Sequence, residues 1–327
     1  RTVTGVQTCA LPIFLFEVEP SRMRLLSALT SGLLTTLAAT GCVQEMPMHA
    51  TEARRVVRLV RTVETNMSAP LAQEYARTMP DIDIKIVDGS GPGGSVSAVQ
   101  RGAADLAFIL ADVAYFANLD AHRANDASSE LRGIAALHTA PVHILALNER
   151  PDFVGISATT PHRIAVNSAF SSQFMLANRV LAAYGLKDPS ESTMLNASEI
   201  TAALVERRVD AVFVTAFYPA QSVAAATQAG AHLLSMNEGV AETLRRKYPF
   251  VHRINIPGQT YKGQEQPVST IGVDRVLVCR SDLDETLVHD LTRHFIEALP
   301  EIFRPLRASA RTMDVDQAAA TPIPLHR

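Results

Sequence analysis

The chain has 327 residues, 47% of them hydrophobic and 19% charged, with a formal net charge of −3. Such a composition belongs to a globular protein long enough for two domains of ordinary size and excludes a disordered chain. No block of basic residues is present, which argues against a nucleic-acid partner; the Arg54, Arg55, Arg58, Arg61 series reads as strand flank.

In chain order, residues 1–22 are unlike the rest of the chain, and RTVTGVQTCALPI resembles translated adapter sequence, so this leader is set aside as foreign to the fold. Residues 23–42 read as a signal peptide. Arg24 supplies the positive start, Leu25 to Ala39 an apolar stretch too short to span a bilayer, and Ala39-Thr40-Gly41-Cys42 resembles a lipobox. Cys42 would then carry lipid; because Ala39 stands where a lipobox usually has a larger aliphatic residue, simple cleavage and release is the alternative. Either way the mature chain is expected to be periplasmic or otherwise extracytoplasmic, touching a membrane only through that anchor. Cys279, alone in an apolar run, reads as a buried structural thiol with no disulfide partner in the mature chain.

From Arg54 onward short β-rich runs alternate with helical ones, which predicts parallel strands and crossover helices. Strands are expected at Val56 to Val60, Ile82 to Val87, Leu106 to Leu110, Val142 to Leu147, Arg163 to Asn167, Ala211 to Thr215, His232 to Ser235, Arg253 to Ile256 and Val273 to Cys279. Helices are expected at Pro70 to Met79, Ser95 to Gly102, Ser172 to Tyr184 and Ser198 to Arg208, with a last one opened by Ser281-x-x-Asp284 and carrying Leu287, Leu291, Phe295 and Leu299 on one face. Breaks at Asn148 to Thr160 and Pro257 to Thr270 set off a middle block. The fold class is therefore α/β with two lobes, residues 53–147 plus 271–327 and residues 148–270. Each lobe should be a mostly parallel sheet flanked by helices, joined by two crossing hinge segments. No internal repeat is visible in the residues.

The stretch Asp88 to Phe116 packs a strand end, a glycine-rich turn, a helix and a strand together, and backbone amides near Gly94 and Ser95 should converge on one spot. Gly89, Gly91 and Gly94 also satisfy a dinucleotide fingerprint, with Asp112 eighteen residues past the last glycine. Against that, the motif follows the second strand of its unit, and Pro92 sits where backbone should approach a pyrophosphate. Asn167 to Ser172 forms a matching polar turn in the other lobe, and two such turns favour a bound anion.

Gly94-Ser95-Val96, Gly102-x-x-Asp105-Leu106-Ala107, Asp112-Val113-Ala114-Tyr115, Pro141-Val142-His143, Phe213-Val214-Thr215, Lys247-Tyr248-Pro249-Phe250, Ile256-Pro257-Gly258-x-Thr260-Tyr261-x-Gly263 and Pro322-Ile323-Pro324-Leu325-His326 resemble the TAXI family from about Val57 to His326. Proteins of that family are the solute-binding subunits of TRAP transporters. The resemblance implies a type II periplasmic binding-protein fold that closes on a small carboxylate, such as glutamate, a related amino acid or a dicarboxylate, and delivers it to TRAP membrane subunits. The chain departs from the family at Arg61 to Ala69, where a glycine turn and a tyrosine pair are replaced. There Arg61 is expected to pair a ligand carboxylate, and Glu64 or Asn66 to meet an amine or hydroxyl. In the second turn Ser171, beside Ser172, falls where the family has a serine. Asp112 and Tyr115 should begin the loop after the Leu106 strand, and Thr215, Phe217 and Tyr218 should follow the Ala211 strand, all at strand C-terminal ends where open α/β sheets bind ligands.

There is no G-x-S-x-G, H-E-x-x-H or Cys-x-x-Cys, and the ten histidines form only loose pairs such as His138 with His143, so no enzyme activity, cofactor or metal is expected. His143 is the histidine to watch for a pH-linked role. A ligand-sensing lipoprotein coupled to a membrane sensor is the alternative function, and a dinucleotide-dependent enzyme the more remote one.

Overall fold

The computed structural model describes residues 54–61, 67–89, 94–127, 130–147, 163–167, 173–185, 193–303 and 317–327, without the side chains of 173–175 and 303. The leader, the signal segment and Cys42 lie outside these residues.

Arg55–Val60 (β1), Ser68–Thr78 (α1), Ile82–Val87 (β2), Gly94–Gln100 (α2) and Leu106–Leu110 (β3) form a β-α-β-α-β unit with parallel strands in the order β2-β1-β3. Ala111–Arg123 (α3) follows β3 directly, so Asp112 and Tyr115 lie in a helix rather than in the expected loop. Leu131–Leu147 (β4) is a single 17-residue strand, more than twice the expected length. Then Ile164–Asn167 (β5), Gln173–Ala183 (α4), Thr193–Leu195 (β6), Ile200–Val205 (α5) and Ala211–Thr215 (β7) build a second β-α-β-α-β unit, ordered β6-β5-β7. Gln221–Gln228 (α6), Ala231–Leu234 (β8), Glu238–Lys247 (α7), Val251–Ile256 (β9), Val268–Arg280 (β10) and Glu285–Phe303 (α8) complete the described elements.

The second unit repeats the first at a fixed offset. Moving α1 forward by 105 residues (173 − 68) gives the bounds of α4, and the same step (211 − 106) carries β3 onto β7. The wiring repeats as well. Asp105, just before β3, accepts from the Arg58 amide at 2.8 Å and from its Nη2 at 2.8 Å; Asp210, just before β7, accepts from the Arg163 amide at 2.9 Å and from its Nη2 at 2.8 Å. Each aspartate amide in turn donates to the carbonyl of the same arginine. A carboxylate held by one backbone and two guanidinium donors locks the third strand of each unit beside its first. The repeat is hidden in the sequence because few side chains match; what is shared is spacing and hydrogen bonding.

The repeat exposes one strained position. Gly102 (φ 68°) and its counterpart Arg207 (φ 58°) both close the helix before the aspartate in the left-handed region. Glycine adopts that conformation freely, whereas a residue with a Cβ does so at a cost. Arg207→Gly is therefore expected to raise stability by about 1 kcal/mol, measured by urea unfolding; a loss of stability would contradict the strain.

β3 and β7 are buried at every position, as strands covered on both faces by helices must be. Two long strands connect the units. β4 pairs antiparallel with β10 through Pro141 and with β7 from Val142 onward, while β10 pairs with β9 from Val268 to Val273 and with β3 from Arg275. β8 pairs with the same second half of β4. One core cluster packs α1 and α8 on one sheet and a second packs α5 and α6 on the other, while the third, centred on β4 and β10, takes residues from both units. At the start of α8 the cap is Asp284, whose Oδ1 accepts from the Leu287 amide at 2.9 Å. No described helix is long and apolar enough to cross a membrane.

Candidate functional site

The two connecting strands are not in simple register where they meet. Thr139 of β4 faces Asp274 of β10 and Ala136 faces Val276, so Leu137 and His138 together oppose the single residue Arg275. A bulge of this kind twists a strand and re-aims its side chains. Here it sets a cation and an imidazole around one ring. Arg275, 8% exposed, holds its guanidinium carbon 5.1 Å from the centre of the Phe217 ring, and the His138 ring centre lies 3.9 Å from the same ring. Burial, reinforced by the charge of Arg275, pushes the His138 pKa down to about 3, so this imidazole is neutral. Phe217 stands just past the C-terminal end of β7.

At the equivalent place in the first unit, one step of 105 residues earlier, stands Asp112. It lies in the first turn of α3 and is fully buried, and neither carboxylate oxygen has a hydrogen-bond partner of good geometry. Burial raises its pKa to about 7; the Val113 amide and the charge of Arg179 pull the other way and lose. Arg179 comes from α4 of the second unit and places its guanidinium carbon 3.7 Å from the Phe116 ring centre on α3 and 5.5 Å from that of Tyr248. Tyr115 and Phe116 meet edge to face at 5.2 Å, both approach Phe250, and Phe250 stacks on Tyr248. An aromatic wall thus joins α3 to α4 and to the end of α7.

Behind Phe217 a buried hydrogen-bond chain fixes the loop. The Ala220 amide donates to Tyr261 Oη at 2.9 Å, that hydroxyl donates to His143 Nε2 at 2.9 Å, and His143 Nδ1 donates to the Val214 carbonyl at 3.2 Å. The chain assigns the tautomer, and burial pushes the His143 pKa down to about 4. His143 is a strut between β4 and the β7 loop and does not change charge near neutrality, contrary to the pH-linked role for which its position made it a candidate.

The expected site residues divide into three groups. Asp112, Tyr115 and Phe217 take part in the arrangement just described. Thr215 is buried in the β7 ladder opposite Val142, and Tyr218 is 8% exposed within the core around α5 and α6, which is packing. Gly94 and Ser95 open the seven-residue α2, which packs beside α3. Arg61 donates from Nε to Asp88 Oδ1 at 2.7 Å on the surface, so its expected carboxylate partner is a residue of the chain itself. Glu64, Asn66, Ser171 and Ser172 lie outside the described residues. Sequence reasoning missed His138, Arg179 and Arg275. The adjacent charges Asp274 and Arg275 inside the otherwise apolar run Ile271 to Cys279 were a legible signal, because a cation is seldom buried in a strand without a task.

A groove of about 570 Å³ lies elsewhere, between α8 and Leu325 to Arg327, and none of the expected site residues lines it. The glycine turn of the dinucleotide fingerprint follows β2, at the edge of the sheet, where no described strand lies beyond it to help form a nucleotide crevice.

A family model described as NMT1-like matches residues 65–327. Among solved structures, the periplasmic aliphatic sulphonate binding protein SsuA from Escherichia coli is 17% identical, with a TM-score of 0.50 over 78% of this chain and 76% of that chain. A TctC solute binding protein from Polaromonas is 16% identical, with a TM-score of 0.48 over 84% of this chain and 91% of the other.

Proposed function

Because this chain belongs to the NMT1-like family and has a periplasmic binding-protein fold, we propose that it is an extracytoplasmic solute-binding protein, capturing a small organic anion between its two units and delivering it to a TRAP-type membrane transporter. The solute class is a carboxylate, either an amino acid such as glutamate or a dicarboxylate. The observation that carries the reading is Arg275, a buried cation presented by a strand bulge beside Phe217 where the two connecting strands meet. Arg179 adds a second cation, set over the Phe116 ring of the aromatic wall. A guanidinium in a site of low dielectric is the group best matched to a carboxylate or sulfonate. The connecting strands act as the hinge, and contacts from both units exist together only when the cleft is shut.

A thermal-shift screen of the full chain against L-glutamate, other amino acids, succinate and methanesulfonate tests this. An anion should raise the melting temperature, and Arg275→Gln should abolish the shift, while Glu64→Gln and Ser171→Ala should each diminish it. If no anion stabilises the protein, or if Arg275→Gln responds as the unaltered chain does, the reading fails.

A further inference from the structure

A carboxylate buried beside an anion site opposes the charge of what that site receives, and Asp112 is such a group. It is 0% exposed, neither oxygen has a hydrogen-bond partner of good geometry among the described residues, and it occupies the first turn of the 13-residue α3, where backbone amides favour negative charge. The elements packed against α3 bring the other titratable groups. Arg179 comes from α4, Arg275 from β10 and neutral His138 from β4. His143 of β4 is tied into the Tyr261 chain, and Arg132 pairs with Glu130. On β10, Asp274 is engaged by Thr139 and by His252 of β9, Arg280 is engaged by Asp105 and Asp282, and the Cys279 thiol is pushed up to about 12 by burial. Neither β3 nor α2 carries a titratable side chain.

We propose that solute capture here is proton-linked: the anion binds together with one proton placed on the Asp112 carboxyl, and the two leave the cleft together. This rests on the anion-binding reading above. The balance is simple: one proton passes from solvent to the Asp112 carboxylate as the anion enters and returns to solvent on release, and no bond of the solute changes. Two carboxylates sharing a water-poor site do not both stay ionised. Asp112 is the one that yields, because burial already holds its pKa near 7, so protonating it at neutral pH costs little. Once it is neutral, its carboxyl no longer opposes the charge of the solute.

Isothermal titration calorimetry of the full chain with L-glutamate, succinate and methanesulfonate, each in two buffers of different ionisation enthalpy, tests the linkage. Near about pH 8 the expected uptake approaches one proton per bound anion, and affinity should fall by up to about tenfold for each further pH unit. Asp112→Asn should bind with no uptake and with a flat pH profile. Infrared difference spectra of the unaltered protein provide an independent readout, since binding should produce a new protonated-carboxyl stretch. Binding without proton uptake, or without that band, overturns the proposal. Binding of none of the three anions instead overturns the solute-binding reading, and the linkage falls with it.

Discussion

Asp112→Asn is expected to stabilise the solute-free protein at about pH 8, relative to its effect at about pH 4, by as much as about 4 kcal/mol. The sign follows from where each state holds the proton. Burial keeps the folded carboxyl protonated up to about 7, whereas the unfolded one ionises near 3.8. Between those values the folded chain holds a proton that the unfolded chain has lost, so stability falls as pH rises through the window, and above it the full cost of a buried carboxylate is present. Asparagine has no proton to lose and escapes that cost. His138 and His143, held neutral by burial, act in the opposite sense, losing stability as pH falls below about 6.5, but they are common to both proteins and cancel in the difference. Urea unfolding of the two proteins at a series of pH values measures the effect; parallel stability curves would show that Asp112 is not a buried acid.

Asp105→Asn should cost about 3 kcal/mol, and Asp210→Asn roughly half as much. Asp105 takes the Arg58 amide, Nε and Nη2, and also Arg280 Nη1 from β10 at 3.2 Å, so it ties three strands together. Asp210 ties β7 to β5 through Arg163, which is 54% exposed where Arg58 is 34% exposed, so water already shares the charge of that pair. Unfolding free energies of the two variants would separate the effects; equal losses would mean that the β10 contact adds nothing.

Much of the fold was legible because single-strand and single-helix patterns are local. β2, β3 and β7 have the bounds expected from their apolar runs, and the C-terminal helix carries the expected apolar face, with Leu287, Leu291, Phe295 and Leu299 buried. Some of the elements lost have residues that do not alternate cleanly, while α6, α7 and the three-residue β6 were not expected either. The first half of β4 is rich in small residues, and α3 has its apolar residues spread around the helix instead of forming one stripe. The site was legible only in part. Asp112, Tyr115 and Phe217 of the candidate arrangement were expected because strand C-terminal ends can be recognised from the strands themselves. His138 and Arg275 were not, because their meeting depends on a bulge, and a bulge is a property of two strands in register.

From the sequence alone, then, come the α/β alternation and the ends of β2, β3 and β7, since each follows from periodicity within a dozen neighbouring residues. Tertiary structure decided the rest. Only the folded chain shows the second unit as a copy of the first at a step of 105 residues, or that Arg61 is engaged by Asp88 while Arg275 carries a buried charge and Arg179 a half-buried one over the Phe116 ring. The reason is range. Side chains from β3, β7 and the two connecting strands are far apart in sequence, and only tertiary packing decides which of them leave water together and must balance one another's charge.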